Sequence, residues 1–366
     1  MTDRVWILGA PDPEMEAIET LLRECGERVE YAIDDRGQRV SPATAYRCPP
    51  LKVPAGSTVY AVECFDVLPE GWVRIDHHRP GDPGYGRQPH EFLPASSIGQ
   101  VVVVLARLGV LPESWERFGG QAAGLAACSL GTIGRFQLRH YGAPYELGVT
   151  SVSGPLRSLH VYVIPEAIIF AAAADHCLGA AYRGECPGVD PDALMRWRVE
   201  QRATFQGRNA GQILDDIERA RDLLSDPDTV ELAPGIRVAD VRGYCVVTHD
   251  CGHKELQHED YTTHLSHKHG CPGSPYTPRQ WCNGWIVEPG IPELPDAAAR
   301  EGVAYIATVT VDGSGRECRP KVVLGGCTTP EMVRAFLVHW APQQGLVDCY
   351  GDPERGFAGG YYLEEK

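Results

Sequence analysis

Trp72-Val73-Arg74-Ile75-Asp76-His77-His78-Arg79-Pro80-Gly81-Asp82-Pro83-Gly84 reads as a short strand that ends in an acid and two imidazoles. The prolines and glycines that follow forbid a helix, so the triplet sits at the mouth of a loop. In an open α/β sheet, ligands collect at the carboxyl ends of the strands. A carboxylate beside two imidazoles at such a place suits a divalent metal. The competing reading is an ordinary turn acid next to two surface histidines.

Working outward, the chain alternates strand and helix signals. Val5 to Leu8 reads as a first strand, and Pro11-Asp12-Pro13 as a turn. Glu14 to Cys25 reads as a helix with Met15, Ile18, Leu21 and Leu22 on one face. Thr58 to Val62 is a second strand, ending at Glu63, and Val73 to Ile75 a third. Ser96 to Leu108 has a serine start and a glycine stop for a helix, although the β-branched run Val101 to Val104 argues for a strand. Pro165 to Arg183 is an alanine-rich helix, and Asp192 to Asp226 is mostly helical and charged. Such alternation predicts an α/β fold with a parallel sheet.

The second half changes character. Val303 to Val311 and Lys321 to Leu324 read as strands, and Pro330 to Trp340 as a helix capped by Thr328 or Thr329. Gly351 to Gly360 reads as a glycine-rich loop. The expected organisation is an α/β domain over 1–190, a helical connector over 191–233 and a smaller C-terminal α/β domain over 234–366.

Composition sets outer bounds. The chain has 366 residues, 43% hydrophobic, enough for two domains with real cores. No run of 18 apolar residues occurs, so no membrane partner is expected. The formal net charge is −15, and no Lys/Arg-rich run is present. Wrapping long duplex nucleic acid needs a basic face, so that partner is not expected. A small phosphorylated ligand held through metal ions remains compatible, as does a homodimer. Thirteen cysteines, several in apolar stretches such as Cys64, Cys128 and Cys177, together with a start that lacks a signal-peptide layout, predict a cytoplasmic location with free thiols.

The triplet Asp76-His77-His78 resembles the signature of the DHH phosphoesterase superfamily. That resemblance implies an N-terminal parallel α/β domain, a smaller C-terminal domain, an active site between them, and two manganese ions. The superfamily's first motif resembles His-x-Asn-Pro-Asp-x-Asp-Ala, and Ala10-Pro11-Asp12-Pro13-Glu14-Met15-Glu16-Ala17 stands at the matching place. It carries Glu14 and Glu16 as the acids and Ala10 where histidine is expected. The second motif implies Glu63 as a ligand. The fourth implies Asp175, with His176, after the apolar stretch Ile168 to Ala174. An unpaired carboxylate in such a stretch is costly to bury, which a metal would relieve. The metal set implied is therefore Glu14, Glu16, Glu63, Asp76, His77, Asp175 and His176, with Asp76, His77 and His78 at the reacting centre. The segment Asp352 to Gly360 loosely resembles a glycine-rich phosphate loop, with Arg355, Gly356, Gly359 and Gly360 as contacts; Arg183 is a further candidate.

A Cys/His-rich insert occupies 244–285. It holds four of the 13 cysteines and six of the 13 histidines. Cys251-Gly252-His253 and His269-Gly270-Cys271 are two short pairs suited to tetrahedral zinc. The preferred ligands are Cys251, His253, Cys271 and Cys282, with Cys245 as a substitute. The expected function is a metal-dependent phosphoesterase acting on a nucleotide, a short oligonucleotide end or a pyrophosphate-like molecule. The alternative is a non-catalytic nucleotide-binding or interaction protein on the same scaffold.

Overall fold

A computed structural model describes residues 3–35, 37–40, 44–121, 136–140, 145–153, 156–206, 209–242, 246–249, 286–288, 294–312 and 319–362. Of the Cys/His segment 244–285 only 246–249 is among them; Cys245, Cys251, His253, Cys271 and Cys282 fall outside.

The first sheet is four-stranded and parallel, in the order β2 (Arg28–Tyr31), β1 (Arg4–Leu8), β3 (Thr58–Val62), β4 (Val73–Ile75). Val5, Trp6, Ile7 and Leu8 are all fully buried, as expected for a strand covered on both faces. Helix α1 (Pro13–Glu24) starts where Asp12 accepts a 2.7 Å hydrogen bond from the Met15 amide, with Pro13 in the first turn. It buries Met15, Ile18, Leu21 and Leu22. Two helices follow the triplet strand, α2 (Phe92–Ala95) and α3 (Ser97–Leu108). In α3 the Ser96 cap and Gly109 stop prevail over the β-branched run, because Val101, Val102 and Leu105 all turn into the core. Helix α4 (Glu166–Tyr182) is almost wholly buried and kinks at Cys177, whose φ of −155° and ψ of 51° are not helical.

Between α3 and α4 lies an antiparallel sheet of β5 (Glu116–Gln121), β6 (Phe136–His140), β7 (Tyr145–Ser153) and β8 (Leu156–Val163), in the order β5-β8-β7-β6. The sequence pattern had given no expectation for this stretch. The connector resolves into α5 (Pro191–Gln206) and α6 (Ala210–Ser225). The second large sheet begins with β9 (Thr229–Ala233) and β10 (Ile236–Asp240), continues through β11 (Val246–His249) and β12 (Ile286–Glu288), and is completed by β13 (Ala304–Asp312), β14 (Arg319–Gly326), β15 (Leu346–Asp352) and β16 (Phe357–Tyr362). Helix α7 (Leu294–Glu301) packs on it. The molecule is therefore mixed α/β, with one parallel sheet, one antiparallel sheet and one larger mixed sheet among the described residues.

One expectation is borne out and one is corrected here. The helix expected over Pro330 to Trp340 is present, capped by Thr329, with α geometry to Ala335 and π geometry over Phe336–Trp340. The glycine-rich segment Gly351 to Gly360 is not a loop but the β15–β16 hairpin around a turn at 353–356. Its glycines make room for neighbours: a Cβ on Gly359 would lie 2.6 Å from the Tyr350 ring, and one on Gly360 2.8 Å from Cys349 Sγ.

The two halves are joined by polar contacts as well as packing. Asp296 of α7 accepts from Tyr182 Oη at 2.8 Å and is bridged by the Arg198 guanidinium of α5. Among the described residues no single helix is long and apolar enough to cross a membrane.

Candidate metal site

The triplet follows β4 and lies against the ends of β1 and β3. Glu63 ends β3 in the left-handed region, with φ of 50°, a conformation that costs a non-glycine residue on the order of 1 kcal/mol. Gly9 ends β1 so close by that a Cβ would lie 2.3 Å from the Glu63 carbonyl oxygen. The absence of a side chain at Gly9 thus lets the Glu63 backbone turn at the end of β3.

Ligand atoms of Glu63, His77, His78 and Asp175 all lie within 4.8 Å of one another, and the group can hold a metal ion. His77 Nε2 is 2.7 Å from Asp175 Oδ2 and 3.6 Å from Glu63 Oε1. Despite this proximity, Glu63 Oε1 and Asp175 Oδ2 are buried and have no hydrogen-bond partner. The hydrogen-bond network explains why. His176 Nε2 is 3.3 Å from the Arg87 carbonyl, which only accepts, so that nitrogen carries the proton. His176 Nδ1 is then the acceptor for His77 Nδ1, 3.3 Å away. His77 therefore carries its proton on Nδ1 and presents a bare lone pair on Nε2, an assignment made from the network. A nitrogen lone pair and two carboxylate oxygens face one another beside the Arg355 guanidinium, an arrangement suited to holding a metal cation.

The electrostatics agree. Burial, then Arg355 and His78, holds the His77 imidazole well below its ordinary pKa, so it stays neutral. Burial and Arg355 also lower His176, to about 3. Burial raises Glu63 to about 8 despite the attraction of His78, and the carboxylates of Asp12, Asp175 and Asp76 add to the rise. Glu14 is raised well above its usual range by burial, Asp175 and Glu63, and its Oε2 has no hydrogen-bond partner. Burial and Asp175 raise Asp12 to about 7. Burial opposes ionisation of Asp175, and the positive charges of His78 and Arg355 favour it. His78 is opposed by burial yet raised to about 9 by Glu63 and Asp76.

These directions give an expected pH profile. Glu63 ordinarily ionises near 4.5 but here near 8, so between those values the folded chain holds a proton that the unfolded chain has released. Stability of the metal-free protein should therefore fall as pH rises through that window, by up to about 1.4 kcal/mol per pH unit for each such group. A divalent ion replaces the proton, so its stabilising effect should be larger at pH 8 than at pH 6. Thermal melts with and without metal at both pH values check this, and Glu63→Gln should flatten the metal-free profile.

Other expected site residues are placed differently. Asp76 is fully buried and does not join the converging atoms. Its Oδ1 accepts from the His77 amide at 2.8 Å, the His78 amide at 3.1 Å and His78 Nδ1 at 3.0 Å, and Tyr46 Oη donates to both oxygens. It orients the two histidines. Glu16 is on the exposed face of α1 and lies outside the group, whereas Glu14 turns inward and accepts from the Ile98 amide at 2.9 Å. Asp12, which the sequence reading treated only as a turn residue, lies close enough to feel Asp175; its place at the cap of α1 was the signal available.

Arg355 enters from the hairpin turn of the other sheet. It donates to the carbonyls of His77, Asp175 and His176, each at 3.0 Å, and its side chain is 4% exposed. Its Nη2 is also 3.4 Å from His77 Nε2 and 3.7 Å from Asp175 Oδ2. The turn itself is docked: Gly86 donates to Asp352, Gln88 to Glu354, and Tyr85 to the Gly351 carbonyl. Gly359 and Gly360 lie within β16 and are buried. Arg183 pairs with Glu185 at 2.6 and 2.9 Å and lines a cleft of about 150 Å³ together with Gly356. A larger cleft of about 350 Å³ runs from His78 and Asp175 past Tyr305, Tyr350 and Phe357.

Comparison with known proteins returned no matching family model, no similar curated protein and no similar solved structure.

Proposed function

We propose that this chain is a metal-dependent hydrolase of small phosphorylated molecules, with manganese held by Glu63, His77 and Asp175. The observation that carries the reading is the convergence of His77 Nε2 with Glu63 Oε1 and Asp175 Oδ2, 3.6 and 2.7 Å away, both oxygens being buried and without a hydrogen-bond partner. A bound ion supplies Lewis acidity toward a phosphoryl oxygen and makes a water more acidic. His176 fixes the His77 tautomer, and Asp76 holds His78. His78, protonated and facing the larger cleft, is placed to donate a proton to a leaving oxygen. Glu14 and Asp12 are the acids available to a second ion. The sizes of the two clefts and the net charge of −15 suit a nucleotide, an oligonucleotide end or a pyrophosphate-like substrate and not a duplex. The structural zinc of 244–285 belongs to the same proposal on sequence grounds alone.

Two observations favour a second reading, a non-catalytic nucleotide-binding or interaction protein. Arg355 spends its donors on three backbone carbonyls, and Ala10 stands where the resemblance expects a histidine. Release of nitrophenol from bis-nitrophenyl phosphate, and of phosphate from nucleotides and pyrophosphate, separates the two. The enzyme reading expects release that starts on adding Mn²⁺ and stops with chelator. Manganese binding with no release from any of these esters would favour the second.

A further inference from the structure

We propose that Cys177 and Cys186 are a redox pair that closes into a disulfide, fastening the kinked end of α4 to the turn that follows it. This goes beyond the metal site and does not depend on its chemistry.

The two Sγ atoms are 2.9 Å apart, and both residues are nearly fully buried, at 2% and 1% exposure. Closure to a disulfide bond of about 2.05 Å therefore needs less than 1 Å of movement along the line between the sulfurs. The geometry of the chain brings them together. Non-helical backbone at Cys177 breaks α4, and the chain then reverses: the Glu185 amide bonds back to the Ala180 carbonyl and the Val189 amide to the Cys186 carbonyl. Tyr145 Oη closes over this turn by donating to the Pro187 carbonyl. The other described cysteines are engaged elsewhere where contacts are seen: Cys48 with the Ala45 carbonyl, Cys64 with the Ile7 carbonyl and Cys327 with Arg183.

The co-reactant is a small-molecule disulfide such as glutathione disulfide. One protein thiol, as thiolate, attacks a glutathione sulfur, and the first glutathione leaves and takes up a proton. The second protein thiolate then attacks the mixed disulfide, forms the Cys177–Cys186 bond and expels the second glutathione. Two protein thiols are oxidised and one glutathione disulfide is reduced to two thiols. Because both sulfurs are buried, exchange requires opening of the 183–189 turn, so it should be slow. Asp175 lies two residues before Cys177, so the bond would fasten the backbone that carries that carboxylate.

The test is disulfide mapping of the full chain, incubated to constant composition in a glutathione-disulfide-rich or a glutathione-rich buffer, then denatured and alkylated. The expected result is a linked peptide pair, lighter by two hydrogens, joining Cys177 to Cys186 in the oxidised buffer and separate alkylated cysteines in the reduced one. Closing so short a loop should raise the melting temperature by about 5 °C in the oxidised buffer. The Cys186→Ser variant should show neither the link nor the shift. Recovery of both residues as alkylated thiols from the oxidised buffer, or of Cys177 joined to another cysteine, would overturn the proposal.

Discussion

Asp175→Ala is expected to abolish the metal response of the protein and, if the proposed hydrolase activity holds, to lower that activity about 10³-fold. The size follows from the several kcal/mol that a Lewis-acidic ion contributes at a reacting phosphoryl group. Asp175 Oδ2 is one of two buried carboxylate oxygens aimed at the bare Nε2 of His77, 2.7 Å away, and it has no hydrogen-bond donor of its own. Removing it leaves Glu63 as the remaining carboxylate facing that nitrogen. The repulsion that raises Glu14 and Asp12 falls at the same time, because Asp175 contributes to both. The variant should therefore fold, with its manganese-induced melting shift lost. Unchanged manganese affinity, measured by titration calorimetry, would show that the ion sits elsewhere.

Arg355→Ala is expected to destabilise the protein by about 3–5 kcal/mol, the cost of breaking a buried charged network by removing one partner. Three carbonyls, those of His77, Asp175 and His176, would each lose a 3.0 Å charge-assisted hydrogen bond at a place closed to solvent. Two of these carbonyls immediately precede the break in α4 at Cys177, where the helical ladder is least able to compensate. The hairpin turn should loosen from 85–88, and hydrogen exchange at 352–356 should rise. Arg355→Lys should recover little, because one ammonium cannot span three carbonyls with the fixed fork of a guanidinium. Denaturant melts check the magnitude, and a loss below about 1 kcal/mol would mean that the turn is held by its other contacts.

What was legible in the sequence follows from how local each signal is. The strand ends at Leu8, Val62 and Ile75, the cap of α1, and α3 with its serine and glycine stops are written in a few neighbouring residues. The approach of Glu63, His77 and Asp175 was expected only through a resemblance to an ordered set of motifs; spacing alone could not place α4 beside β4. The inward turn of Glu14 and outward turn of Glu16 depend on the rotation of α1 about its axis, set by Met15, Ile18 and Leu22. The Asp76 carboxylate was misjudged because its competitors are backbone amides and Tyr46, thirty residues upstream, which no motif shows. Gly351 to Gly360 reads as a loop in the sequence because glycine is ambiguous: Gly359 and Gly360 serve the Tyr350 ring and Cys349, which become neighbours only once the strands pair. Arg355 was expected as a phosphate contact, but its guanidinium meets backbone carbonyls contributed by the other half of the chain.

Anomalous scattering from crystals grown with manganese is the most direct measurement of the central claim, that Glu63, His77 and Asp175 converge as ligands of a cation. The account predicts a peak bonded to His77 Nε2, Glu63 Oε1 and Asp175 Oδ2, with the His77–His176 contact preserved behind it. Crystals that bind manganese only elsewhere, or that leave these three atoms unbridged at millimolar metal and pH 8, would contradict it.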